Sequence, residues 1–105
     1  MKSAPELLID LVSIPSVSWM SNRPVVEYAL QYLDKSDWRT NLHSYHDGTG
    51  TEKVNLVAAT KHNVSEIAEL TLVCHTDTVP FDPAWNEAVY PASRDDRVYG
   101  RGAST

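Results

Sequence analysis

A small α/β layer fold is what this chain predicts, on three observations. Two stretches near the N-terminal end carry apolar residues at helical spacing, two strand-like segments flank a glycine turn, and residues Leu70 to Cys74 form a nearly continuous apolar run. Two helices and three strands make a layered α/β arrangement, with the apolar run as its most buried member.

The first helix is read over Pro5-Glu6-Leu7-Leu8-Ile9-Asp10-Leu11-Val12. Ser3 is the expected N-cap, with Glu6 three residues later as in a capping box. Leu7, Leu8, Leu11 and Val12 give one apolar face, and Pro15 stops the helix. Ser16 to Met20 is read as a loop. Ser21 or Asn22 then caps a second helix, with Pro24 in its first turn and an apolar stripe of Val25, Val26, Ala29, Leu30 and Leu33.

Trp38 to His46 reads as a strand of mixed polarity near a sheet edge. Asp47-Gly48-Thr49-Gly50 is a turn, and Val54 to Ala59 is the strand that returns from it, close enough to pair as a hairpin. Leu70 to Cys74 is apolar almost throughout, which predicts burial on both faces in the middle of a sheet. From His75 to Thr105 the chain is irregular, with Pro80, Pro83 and Pro91 and no periodicity short of Val98-Tyr99. So long an irregular stretch, starting where a buried strand ends, predicts a functional loop at the carboxyl end of that strand.

Composition narrows the function classes. The chain has 105 residues, a formal net charge of −5, and 42% hydrophobic and 22% charged residues, as expected of an ordinary globular protein. Its nine basic residues are scattered, which argues against nucleic acid or an anionic membrane surface as a partner. One cysteine, Cys74, excludes an internal disulfide framework. Glu6 and Asp10 interrupt the first apolar stretch, so a signal peptide is not expected, and no apolar window is long enough to span a membrane. A cytoplasmic location is the expectation.

His75-Thr76-Asp77 is the sharpest chemical feature. Residues two apart on an extended chain point the same way, so His75 and Asp77 are expected to share a face at the end of the 70–74 strand. A metal-bound imidazole usually donates its other N–H to a carboxylate, a need that a His-x-Asp pair can meet. The pair alone is a weak signal, because a histidine two residues from an aspartate arises readily by chance.

The flanking residues strengthen it. Val73-Cys74-His75-Thr76-Asp77-Thr78-Val79-Pro80, then Trp85, then Arg97-Val98-Tyr99-Gly100-Arg101-Gly102-Ala103-Ser104, together with the opening Leu7 to Ser18 (LLIDLVSIPSVS), resemble the acetylornithine deacetylase, succinyl-diaminopimelate desuccinylase and aminoacylase family. The resemblance implies a three-layer αβα zinc-peptidase-like catalytic domain, of which residues 1–105 are the N-terminal portion, expected to be cut short. It implies two adjacent metal ions, usually zinc, with cobalt an alternative. It makes His75 a direct metal ligand and Asp77 the carboxylate that orients it in the catalytic centre. The implied reaction is hydrolysis of an N-acyl amide on an amino acid or short peptide, with a homodimer possible for the full-length protein. Within the family, acetylornithine deacetylase is the preferred reading, and a metallo-dipeptidase or carboxypeptidase is the alternative.

One position departs from the pattern. The family places a metal-bridging aspartate two residues after Ala103, where this chain has Thr105. A neutral hydroxyl is a poor substitute for a shared carboxylate. Either the chain is cut or shifted in frame at this point, which is preferred because the family's glutamate pair and remaining ligands would also lie beyond residue 105, or the protein is a degenerate, non-catalytic relative. A single imidazole cannot hold zinc, so the 105-residue piece is expected to be inactive.

Other candidates are set aside. His43 and His46 lie three apart on a strand and face opposite ways, and His62 sits in a polar turn. Cys74 reads as a buried, inert thiol. Trp85 is read either as a wall of the site or as a packed aromatic, and Asp95-Asp96 as a solvated turn. Gly100 and Gly102 lack the context of a dinucleotide fingerprint and instead let the backbone adopt positive φ near the site.

Overall fold

The structure, a computed structural model, describes residues 2–33, 36–61, 67–88 and 90–103. Among the described residues the fold is mixed α/β, with two α-helices and two small antiparallel sheets divided between two compact units. One unit comprises Met1–Met20 with Asp77–Thr105, the other Ser21–Thr76. Each has its own small apolar core: Val12, Val17 and Ala88 are buried in the first, and Val25, Val26 and Val54 in the second.

In the first unit, α1 spans Ala4–Ser13. The expected cap forms, with Ser3 Oγ accepting from the Glu6 N–H at 3.4 Å and donating to Glu6 Oε1 at 3.0 Å. Pro5 lies in the first turn, where a missing N–H costs nothing, and Ile14 closes the helix by donating to the Leu11 carbonyl. Val17 follows in an isolated parallel bridge to Thr78. The 75–105 stretch is more regular than its sequence suggests. A 3₁₀ turn spans Asn86–Ala88, and a short hairpin pairs Ala92–Arg94 with Arg97–Tyr99. Asp95 and Asp96 make its two-residue turn with φ of +52° and +58°. Both central residues therefore lie in the left-handed region, as tight hairpin turns with the native twist require.

In the second unit, α2 spans Arg23–Leu30, β1 Trp38–His46 and β2 Glu52–Thr60. β1 and β2 pair antiparallel from Trp38↔Thr60 to His46↔Glu52. The turn between them is held by Asp47, whose Oδ1 accepts from the Thr49 N–H, the Thr49 hydroxyl and the Thr51 N–H at 2.7–3.0 Å. These bonds hold the Asp47 carboxyl below its usual range, with the Thr49 hydroxyl contributing most.

Ser21 and Asn22 divide the start of α2 between them. The Ser21 hydroxyl accepts from the Arg23 N–H at 3.2 Å. Asn22 is the N-cap, yet its amide reaches across to the backbone of β2, donating to the Val54 carbonyl and accepting from the Val54 N–H, both at 2.7 Å. This reciprocal pair ties the helix to the strand beside buried Val25, Val26 and Val54. Arg23 adds a two-pronged ion pair to Glu52, with Nε at 2.7 Å and Nη2 at 2.9 Å, and Ser44 donates to the same carboxylate at 2.9 Å.

Two expectations are corrected. Residues 70–74 are not a strand: among the described residues no strand pairs with them, and Leu70, Leu72 and Val73 are 75%, 87% and 90% exposed. Cys74 is likewise exposed rather than buried. An apolar run states what a segment tolerates. Burial on both faces also needs neighbours on two edges and layers above and below, and the described hairpin directs its strand hydrogen bonds between β1 and β2. No helix of the described residues is long and apolar enough to cross a membrane.

Candidate functional site

The loop of residues 16–18 and the segment 77–78 come together in the first unit through backbone bonds. Thr78 N–H donates to the Ser16 carbonyl at 2.9 Å, and Ser18 N–H donates to the Thr78 carbonyl at 3.1 Å. Ser16 and Val17 are buried, so this edge is anchored in the core. Asp77 itself is exposed, and its Oδ2 accepts from the Ser18 hydroxyl at 2.7 Å. Ser18 Oγ also lies 3.2 Å from the Thr78 carbonyl. A hydroxyl has one proton to give, and the shorter contact is the carboxylate.

His75 is exposed and belongs to the second unit, as does Thr76, whose hydroxyl lies 3.5 Å from the Asn22 amide nitrogen. The expected strand end beneath His75 is absent among the described residues, where the segment before it has no regular secondary structure. His43 and His46 lie on exposed β1, and Trp85 is 43% exposed ahead of the 3₁₀ turn. His62 and Thr105 lie outside the described residues.

Gly102 does adopt the expected positive φ, +77°. What requires a glycine there is Thr78, whose Cγ2 would lie 2.9 Å from an added Cβ. Arg101 beside it is 3% exposed, with its guanidinium carbon 4.7 Å from the Phe81 ring centroid. Among the described residues its Nε and Nη1 have no hydrogen-bond partner, nor does buried Thr78 Oγ1. Burial lowers the pKa of this guanidinium.

The donor set can be tested against the metals that the resemblance implies. Zinc takes about four ligands in closed sites and three plus water in open ones. Among the described residues no group of three or more His, Cys, Asp or Glu side chains could hold a metal ion. His75 and Asp77 do not make a zinc site by themselves.

Ser18 was not among the residues singled out in the sequence. Its signal was present only in the resemblance of the opening segment ending at Ser18, which carries no indication that residue 18 meets residue 77.

The chain is 38% identical over 96 residues to an acetylornithine deacetylase of Myxococcus xanthus, a match covering 91% of this chain and 25% of that protein. A span of that length within 105 residues includes both His75 and Asp77. No family model matches the chain, and no solved structure matches it significantly. The chain thus spans about a quarter of the length of the relative it is similar to, an enzyme named for removing an acetyl group from acetylornithine.

Proposed function

We propose that this chain is the N-terminal portion of a three-layer αβα amidohydrolase that cleaves N-acyl groups from amino acids, with N-acetylornithine the first substrate to test. The observation that carries the reading is the 38% identity to an acetylornithine deacetylase over nearly the whole chain. Beside it stands the His75-Thr76-Asp77 segment with its Tyr99-Gly100-Arg101-Gly102-Ala103 continuation. In this reading His75 contributes one metal ligand and Asp77 orients its ring. The remaining ligands and the proton-transferring group come from sequence that these 105 residues do not contain.

The test is a chimera in which this chain replaces the matching quarter of the Myxococcus enzyme, assayed on N-acetylornithine and a dipeptide panel with zinc or cobalt supplied. Two forms are compared, one with Thr105 and one with Thr105→Asp. A carboxylate shared between two cations offsets their repulsion, so the Thr105 form is expected to be slower by roughly a thousandfold or more. Loss of the remaining activity in His75→Ala supports the ligand assignment. Equal activity at position 105 refutes the bridging role. A folded chimera inactive in both forms overturns the enzyme reading in favour of a degenerate relative, and cleavage of dipeptides alone favours the peptidase alternative.

A further inference from the structure

We propose that the Arg101 guanidinium and the Thr78 hydroxyl form a binding site for one carboxylate group within the first unit. The site stands apart from the metal reading of His75 and Asp77 and does not depend on it. Two separate orphaned groups carry it. Arg101 is 3% exposed, and among the described residues its Nε and Nη1 have no hydrogen-bond partner. Thr78 Oγ1 is buried and equally without a partner among them. The two residues adjoin through Gly102, which follows Arg101 directly and whose added Cβ would lie 2.9 Å from Thr78 Cγ2. A buried guanidinium without an acceptor is costly, as is a buried hydroxyl, and an oxyanion satisfies both. The nearest acids on the segment from Thr78 to Phe81 are engaged elsewhere: Asp77 Oδ2 accepts from Ser18, and Asp82 Oδ1 accepts from the Ala84 N–H. The ligand class follows from the shape of the donor. Phe81 lies over one face of the guanidinium, with Cζ 4.7 Å from the ring centroid, which leaves the in-plane N–H groups for a ligand. A planar carboxylate accepts in that plane, and its single charge matches one guanidinium. Entry requires the turn that carries Arg101 to open. Glycines flank Arg101 on both sides, and the Ala103 N–H closes the turn on the Gly100 carbonyl at 3.2 Å, so little backbone strain opposes it.

The experiment titrates sodium acetate into the ¹⁵N-labelled 105-residue chain at about pH 6, where acetate is ionised, and reads the Arg101 Nε–H signal and the thermal midpoint. Sodium chloride at matched ionic strength is the control for screening. Acetate is expected to move the Arg101 signal with saturation at roughly millimolar concentration, within what so small a ligand can supply, and to raise the midpoint of the parent chain. Arg101→Met is expected to abolish the acetate-dependent rise. Arg101→Lys, which keeps the charge and loses the planar fork, is expected to weaken the affinity about tenfold. Thr78→Val keeps a methyl beside Gly102 and removes the hydroxyl, and is expected to weaken it roughly two- to tenfold, the range of one net hydrogen bond. A response to acetate no larger than that to chloride overturns the proposal. So does a saturating rise that persists in Arg101→Met, which places the anion elsewhere. Unchanged affinity in Thr78→Val, with the parent's amide spectrum retained, removes the hydroxyl and overturns the two-donor site. Inorganic phosphate is titrated in parallel, and tighter binding of phosphate than of acetate overturns the carboxylate class.

Discussion

Gly102 and Thr78 are packed so closely that a Cβ on the glycine would stand 2.9 Å from Thr78 Cγ2, while its φ of +77° lies where side chains are strained. Gly102→Ala therefore meets both penalties at once, and the obstructing methyl belongs to a short β-branched side chain with little room to turn. We expect a loss of roughly 1–3 kcal/mol in urea unfolding. Gly48→Ala is the control, since nothing lies within 4 Å of its added Cβ and no positive φ is required. Equal effects at the two positions would contradict the packing.

Glu52 joins β2 to α2 through Arg23, and its acidity reports that bond. The Arg23 guanidinium, helped by the Ser44 hydroxyl, lowers its pKa from an ordinary 4.5 to about 2. A depressed carboxyl pKa contributes stability that is fully present above the unfolded value and is lost as pH falls through the folded one. The window is therefore pH 4.5 down to about 2. Urea midpoints measured across it are expected to fall more steeply in the parent chain than in Glu52→Gln. The difference is expected to shrink in high salt, because both groups touch solvent. Parallel curves would show that the pair does not persist in solution.

Arg101 is a buried residue whose guanidinium Nε and Nη1 lack acceptors among the described residues, while its face is engaged by Phe81. An unpaired buried charge is costly, and an apolar side chain of similar length removes that cost. Arg101→Met is expected to raise the thermal midpoint of this chain, measured by circular dichroism. A lowered midpoint would show that the guanidinium finds acceptors in solution.

Zinc affinity checks the donor set directly. With no group of three candidate ligands among the described residues, the 105-residue chain is expected to bind zinc no more tightly than about 0.1 mM in calorimetric titration at neutral pH. Submicromolar one-to-one binding that disappears in His75→Ala would reveal ligands that the described residues do not show.

The sequence by itself determined the local pieces. Ser3 and Glu6 mark the start of α1, and strand β1 runs from Trp38 to His46 as its pattern predicts. The Asp47 turn closes β1 onto β2 because its partners lie within a few residues. Asp95-Asp96 was legible as a turn, although the three-residue strands it joins are too short to show a period. Of the candidate site, His75 and Asp77 stood out because their motif is contiguous. Only the tertiary structure decided the rest. Asn22 carries a capping side chain, but it spends its amide on Val54, 32 residues away. Residues 70–74 have the composition of a buried strand and lie exposed, since burial depends on what covers a segment and not on its own side chains. Ser18 meets Asp77 across 59 residues, and such a meeting is set by the packing of a buried edge that no local pattern encodes.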